Sequence, residues 1–96
     1  MIINFSGKVA EHIYHGENSR YARKLPPELH SKAKRLLDQL NTATRVETLK
    51  VPPGNRLESL KGDRKRFWSI RINDQWRVVF QFRHSDAYDV DILDYH

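Results

Sequence analysis

The sequence predicts an α+β fold in which two N-terminal helices pack on one face of a small antiparallel β-sheet. Apolar residues recur at helical spacing in the first half of the chain, and from Leu57 onward they alternate with polar residues. Short loops join the alternating runs, as they do between neighbouring antiparallel strands. A sheet with one apolar face needs a second layer to cover it, and the preceding helices supply that layer.

Length and composition indicate a single domain, residues 1–96. A chain of 96 residues, 39% of them hydrophobic, is long enough for one core. Cysteine is absent, which excludes disulfides, a cysteine nucleophile and a cysteine-based metal site. No apolar run approaches the ~20 residues of a membrane-spanning helix, and no signal-peptide pattern opens the chain. We therefore expect a soluble, cytoplasmic protein with no membrane partner.

The N-terminal segment predicts an edge strand followed by a short helix. Residues 1–5 form a short apolar run of the kind found in edge strands. Ser6 is suited to cap the helix, Val9 and Ile13 lie one turn apart within it, and Gly16 ends it.

The second helix has the strongest helical pattern. A polar connector, residues 17–25, leads to Pro26 and Pro27, which are tolerated in a first helical turn, and Glu28 suits the positive end of the helix. The apolar stripe that we expect in the core consists of Leu29, Ala33, Leu36, Leu37 and Leu40. One more helical turn is expected after Asn41, before a Pro-Pro-Gly-Asn loop.

The second half predicts a β-meander. Three alternating runs, 67–72, 76–83 and 88–93, are separated by the turns 73–75 and 84–86. The face expected to meet the helices carries Trp68, Ile70, Ile72, Trp76, Val78, Phe80, Phe82, Tyr88, Val90 and Ile92. The opposite face is expected to present Ser69, Arg71, Arg77, Gln81 and Arg83. A polyanion would lie on that polar face.

The charge distribution points to the same partner without deciding it. The chain has 17 Lys+Arg and 12 Asp+Glu, which gives a formal net charge of +5. The basic residues are concentrated between Lys50 and Arg83, whereas the segment from His84 onward carries aspartates and no Lys or Arg. A basic domain of this size suggests nucleic acid as a partner, but a solvated basic surface explains the charge equally well.

A set of residues in the second half suits RNA cleavage. RNA supplies its own nucleophile, the 2′-hydroxyl, and cleavage needs a base, cations for the phosphate charge and a proton for the leaving oxygen. His96, Lys61 and Arg77 offer these groups without a metal or another cofactor, and Tyr95 is suited either to stack on a base or to position the phosphate. The residues alone leave two simpler interpretations open, a frayed end for His96 and a cross-strand ion pair for Arg77.

A metal site is the weaker alternative. Asp89, Asp91, Asp94 and His96 have oxygen-rich metal character, but strand parity places Asp94 on the face opposite to Asp89 and Asp91. No Ser-His-Asp arrangement, P-loop or dinucleotide fingerprint is present. We therefore expect no metal and no cofactor.

The run PPGNRLESLKGDRKRFWSIRINDQWRVVFQF, Pro52 to Phe82, followed by VDILDYH, closely resembles the HigB branch of the RelE/ParE toxin superfamily. The order of helices and meander agrees with the RelE-like fold, so the resemblance spans nearly the whole chain. It implies a toxin of a bacterial type II toxin–antitoxin pair that enters the A site of the 70S ribosome, on the 30S subunit and its rRNA. There it would cut translated mRNA by metal-free chemistry. A HigA-like helix-turn-helix antitoxin is the implied partner.

The resemblance also implies roles for residues of this chain. His96 matches the catalytic histidine of the family, and Asp94 and Tyr95 match the residues just before it. Lys61 matches the lysine of LKGD, and Arg77 matches the arginine after tryptophan.

The chain departs from some family members at two positions. Glu58 stands where those proteins have histidine, and Gln75 stands where they have asparagine. Both are therefore possible catalytic or orienting residues. Glu58 is open to three interpretations: a base, a group that orients an arginine or histidine, or a residue without a role.

The remaining basic residues are expected to bind RNA or the ribosome. They are Arg20, Arg23, Lys24, Lys32, Lys34, Arg35, Arg64, Lys65, Arg66 and Arg71. Two other functions stay open at this point. One is a ParE-like toxin that inhibits DNA gyrase and cuts no RNA, and the other is a basic RNA-binding module without activity.

Overall fold

The computed structural model describes residues 1–62 and 66–95. Within those residues the chain forms two α-helices and one four-stranded antiparallel sheet, which confirms the predicted α+β class. The elements are α1 (Lys8–Tyr14), α2 (His30–Thr42), β1 (Glu58–Ser59), β2 (Trp68–Arg71), β3 (Trp76–Arg83) and β4 (Asp86–Asp94). Short 3₁₀ turns occupy Ala22–Lys24, Pro27–Leu29, Val46–Lys50 and Pro53–Asn55. The strands lie in the sheet in chain order, as a meander requires.

The edge strand predicted for residues 1–5 is confirmed only in its edge position, because the segment lies beside β4 without forming a strand. It runs parallel to β4 through isolated bridges, Ile2 with Ala87 and Phe5 with Val90. The backbone N–H of Ile3 donates to the Ala87 carbonyl at 2.8 Å. The segment therefore adds paired residues alongside β4 without forming a continuous strand.

The prediction that Ser6 caps α1 is wrong. The N-cap residue is Gly7, which has no side-chain capping bond. Ser6 still belongs to the segment paired with β4, because its N–H donates to the Val90 carbonyl at 3.0 Å and its hydroxyl donates to the Asp89 carbonyl at 3.1 Å. A Cβ atom at Gly7 would lie 1.8 Å from an Asp91 carboxylate oxygen, so any larger residue there would require the Asp91 side chain to move.

The apolar stripe of α2 lies in the core as predicted. Ala33, Leu36, Leu37 and Leu40 are fully buried, whereas Leu29 is partly buried and packs against them. These side chains share one hydrophobic cluster with buried residues of α1 and of the sheet, including Ala10, Ile13, Ile70, Val78, Phe80, Val90 and Ile92. The helices and the sheet are therefore held together by one continuous apolar contact.

A β-bulge in β4 reverses one predicted side-chain orientation. Val79 pairs with Asp91 and Gln81 pairs with Tyr88, so β4 has two residues where β3 has one. Asp89, within the bulge, has a φ of +53°. Tyr88 consequently lies beside Gln81 on the polar face, and the prediction that Tyr88 faces the helices is wrong.

Among the described residues, no helix is long and apolar enough to cross a membrane.

Candidate active site

Arg77 occupies the polar face of the sheet and is held by three oxygen atoms. Its guanidinium lies 2.9 Å from a Glu58 carboxylate oxygen as an ion pair. It also donates to the Ser69 hydroxyl at 3.1 Å and to the Arg56 carbonyl at 3.4 Å. The Arg77 side chain is only 14% exposed, whereas that of Glu58 is 56% exposed. The charge is thus fixed in position close to the surface.

Strand register explains why these groups meet. Glu58 of β1 pairs directly with Ser69 of β2, and Ser69 pairs with Val79, two residues from Arg77. Directly opposed residues share a face of the sheet, and diagonal neighbours are within reach of long side chains. Ser69 is fully buried, so its hydroxyl needs a hydrogen-bond partner, which Arg77 supplies. Ser69 therefore lies on the predicted face but is not presented to solvent.

Tyr95 and Asp94 are tied to the turn between β2 and β3. The N–H of Tyr95 donates to the Gln75 carbonyl at 2.5 Å, and the Gln75 amide donates to the Asp94 carboxylate at 3.2 Å. The Arg77 guanidinium carbon lies 5.5 Å from the centroid of the Tyr95 ring, within cation–π range. Tyr95 remains 43% exposed. We call Arg77, Glu58, Ser69 and Tyr95 the Arg77 cluster.

Arg71 lies beside this cluster and forms a separate ion pair. It pairs directly with Arg77 across β2 and β3, and its guanidinium lies 2.5 Å from the Asp74 carboxylate. The hydrogen bond and the charge of Arg71 hold the pKa of Asp74 below its ordinary value of 3.8. The two opposed arginines therefore each have a carboxylate partner.

Two other predicted catalytic residues, Lys61 and His96, are not part of the Arg77 cluster as the structure describes it. Lys61 is exposed, and no hydrogen bond or ion pair between described residues joins it to Arg77. His96, Arg64 and Lys65 lie outside the described residues. The described part of the candidate site therefore consists of the Arg77 cluster and the adjoining residues Asp94 and Gln75.

A second group of charged residues surrounds Tyr21. The cationic groups of Lys8, Arg20 and Lys24 lie 5.9, 5.0 and 5.9 Å from the centroid of its ring. Arg20 also donates to the Tyr21 hydroxyl at 3.0 Å. We call these four residues the Tyr21 cluster. Sequence reasoning found Arg20 and Lys24 but missed Lys8, which reaches the ring from the start of α1.

The predicted RNA-binding residues differ in how far local contacts occupy them. Lys34 pairs with Asp38 at 2.7 Å and lies 4.8 Å from the Tyr14 ring centroid. Arg23 donates to the Asn18 side chain at 3.2 Å. Arg35 and Arg66 are exposed, and Lys32 is half-buried.

No metal centre forms within residues 1–62 and 66–95, since no group of three or more His, Cys, Asp or Glu side chains converges there. Asp89 instead accepts hydrogen bonds from the side-chain amides of Asn4 and Gln81, each at 2.8 Å. Its carboxylate thereby stabilises the bulge in β4.

Comparison with known proteins gives matches in sequence and in structure. Residues 3–96 match the family model of the RelE-like toxin of type II toxin–antitoxin system HigB. Toxin HigB-1 of Vibrio cholerae is 37% identical over 82 residues, which cover 85% of this chain and 84% of that protein. Endoribonuclease HigB of Proteus vulgaris is 42% identical over 60 residues, 62% of this chain and less than two thirds (64%) of that protein. The solved YoeB/ParE toxin from Agrobacterium tumefaciens, 17% identical, gives a TM-score of 0.48 and covers 100% of this chain and 95% of its own.

Proposed function

Because the chain belongs to the HigB-like toxin family of type II toxin–antitoxin systems, we propose that it is a ribosome-dependent endoribonuclease. It would cut translated mRNA in the ribosomal A site and thereby inhibit translation and growth. The name of the Proteus vulgaris relative, an endoribonuclease, supports RNA cleavage. The structural observation that carries the proposal is the guanidinium of Arg77, fixed on the polar face beside an exposed tyrosine ring.

The proposed reaction is attack of the RNA 2′-hydroxyl on the adjacent phosphate. Negative charge grows on the phosphate oxygens, and a cation fixed in advance stabilises it without reorganisation. Arg77 is that cation, and Lys61 is the second one in this proposal. Tyr95 offers its exposed ring to a base of the mRNA.

Proton transfer is assigned to His96 on the basis of its position in the family pattern. An imidazole suits both removal of the 2′-hydroxyl proton and protonation of the leaving 5′-oxygen. Asp94, hydrogen-bonded to Gln75, lies two positions before His96 and belongs to the same site in this proposal. No step requires a metal or another cofactor.

The RelE-like arrangement, with both helices on one face of the sheet, leaves the opposite face for mRNA. The hydrophobic cluster shared by α1, α2 and β2 to β4 supports this arrangement. The polar connector, residues 17–25, and α2 would contact ribosomal RNA on the 30S subunit, because exposed cations bind phosphates without sequence preference. A HigA-like antitoxin with a helix-turn-helix domain would neutralise the toxin. Action on ribosomes places the proposed activity in the cytoplasm.

Primer extension on mRNA from an in vitro translation reaction tests the proposal. Wild type is compared with His96→Ala, Arg77→Ala and the control Arg45→Ala, which removes an exposed arginine paired with Glu47. We expect new mRNA ends only when ribosomes are present, their loss in the first two variants and their retention in the control. Intact mRNA with the wild-type protein would contradict the proposal. A DNA supercoiling assay would then test the gyrase-inhibiting alternative.

A further inference from the structure

The three oxygen atoms around Arg77 come from different parts of the chain. Glu58 belongs to β1, Ser69 belongs to β2, and the Arg56 carbonyl lies in the segment before β1. We propose that Glu58 and Ser69 are positioning residues that hold the Arg77 guanidinium in its catalytic orientation. This inference rests on the proposed function, because it concerns the same phosphate-binding cation.

Burial makes these contacts necessary. A guanidinium that is only 14% exposed has lost much of its hydration, so it needs a counter-charge and hydrogen-bond acceptors nearby. Glu58 supplies the counter-charge at 2.9 Å. Ser69, which is fully buried, has no access to solvent and contacts Arg77 at 3.1 Å. Loss of either group would remove one of the contacts that hold Arg77.

The ion pair also bears on which of two roles Glu58 has, the positioning of Arg77 or proton transfer. A carboxylate that accepted the 2′-hydroxyl proton would become neutral and lose its ion pair with Arg77 at the moment when phosphate charge grows. A carboxylate that stays ionised keeps Arg77 in place throughout the reaction. The geometry therefore favours the orienting role among the three interpretations that the sequence leaves open for Glu58.

The negative charge of Glu58 has an opposite effect on binding. RNA phosphate approaching Arg77 meets a carboxylate that competes for the same guanidinium and repels the phosphate. Removal of this carboxylate should strengthen substrate binding. The same removal should release Arg77 from its orientation. Binding and turnover should therefore change in opposite directions, which a simple loss of folding stability would not produce.

Kinetic constants for cleavage on mRNA-programmed ribosomes test the inference. For Glu58→Ala we expect kcat to fall about tenfold because Arg77 is misplaced, and KM to fall about threefold because a repelling charge is gone. Glu58→Asp should recover part of kcat. For Ser69→Ala we expect a loss of kcat of about fivefold at unchanged KM. The matched control is Glu47→Gln, which removes an exposed carboxylate paired with Arg45 and should change neither constant.

Two further measurements separate positioning from other roles. The pH dependence of kcat should keep its shape in Glu58→Ala, whereas loss of its acidic limb would identify Glu58 as a base and overturn the inference. In an Arg77→Lys background, Glu58→Ala should lower kcat by less than half as much as it does in the wild-type background. An equal fall in kcat in both backgrounds would overturn the inference.

A readout that is independent of activity separates this inference from the proposed function. NMR of the Arg77 side chain should show slow rotation of the guanidinium in wild type and fast rotation in Glu58→Ala. Equal rotation in both proteins would overturn the positioning role even if the protein cuts mRNA. Absence of cleavage by wild type together with the expected NMR change would refute the function and leave the positioning contacts intact.

Discussion

The Arg77 and Tyr21 clusters use the same residue types in opposite ways. Each places an arginine near a tyrosine ring, at 5.5 Å for Arg77 and Tyr95 and at 5.0 Å for Arg20 and Tyr21. Arg77 projects from a strand, is mostly buried and has a carboxylate partner. The cations of the Tyr21 cluster lie on α1 and the connector, and within residues 1–62 and 66–95 no carboxylate pairs with them. The Arg77 cluster fixes a charge in position, whereas the charges of the Tyr21 cluster remain available to bind a partner.

The difference indicates which step each cluster can serve. A cation fixed in a poorly hydrated position stabilises a transition state because nothing has to reorganise. Exposed cations contribute to binding through counterion release, and salt screens them. We therefore expect changes in the Arg77 cluster to act mainly on turnover and changes in the Tyr21 cluster to act on binding.

The largest expected effect comes from Arg77→Ala. Removing the fixed cation should lower kcat for mRNA cleavage by a factor of roughly 10²–10³, as for loss of one preorganised donor. Arg83→Ala is the matched control, because Arg83 is an exposed arginine of the same strand that lies over Tyr88. Its kcat should stay within about threefold of the wild-type value, because an exposed cation on the face proposed for mRNA contributes to binding and not to turnover. A comparable loss in both variants would show that net charge matters and fixed position does not.

The second effect is on binding and comes from neutralising the Tyr21 cluster. The triple variant Lys8→Gln, Arg20→Gln and Lys24→Gln should weaken ribosome binding about tenfold or more at low salt and reduce the salt dependence of binding. The positions of the mRNA cuts should stay the same. Binding titrations over a range of salt concentrations, followed by primer extension, measure both. Changed cut positions at unchanged affinity would reverse the roles assigned to the two clusters.

Sequence reasoning identified every residue of the Arg77 cluster and two of the four residues of the Tyr21 cluster, but not their contacts. Helical spacing placed the α2 stripe in the core, and alternation placed Arg71 and Arg77 on the polar face of the sheet. Both results follow from local periodicity. The HigB-like family was also identified from motifs, and the family match confirms it.

The contacts depend on register, which local pattern does not determine. Glu58 reaches Arg77 because β1, only two residues long, pairs with β2. A strand of that length has no detectable alternation. The bulge at Asp89 was missed for a related reason, since its positive φ occurs at a residue other than glycine and carries no glycine signal. Ser6 was misassigned because pairing with β4 outweighed its preference for a cap.

A smaller effect distinguishes two neighbouring cations of α2. Lys34 is engaged by Asp38 at 2.7 Å and by the Tyr14 ring, whereas Arg35 is exposed. Arg35→Gln should therefore weaken ribosome binding about threefold through a lost phosphate contact, and Lys34→Gln should weaken it less. Side-by-side titrations at one salt concentration measure the ratio. Equal losses would show that local pairing does not reduce the availability of a surface cation.

The smallest expected effect concerns the ion pair of Arg71 and Asp74, where the carboxylate is 97% exposed. Arg71 holds the pKa of Asp74 below 3.8, so the pair stabilises the fold above that pH, and the contribution is lost as the pH falls through the lowered pKa. Screening by solvent keeps this contribution small. NMR titration of the Asp74 carboxyl should show a midpoint below 3.8 in wild type that rises in Arg71→Gln. Although Arg71 and Arg77 are directly opposed, Asp74→Asn should leave kcat nearly unchanged, because Glu58 and Ser69 determine the orientation of Arg77. A marked fall in kcat would instead mean that the two opposed ion pairs act as one unit.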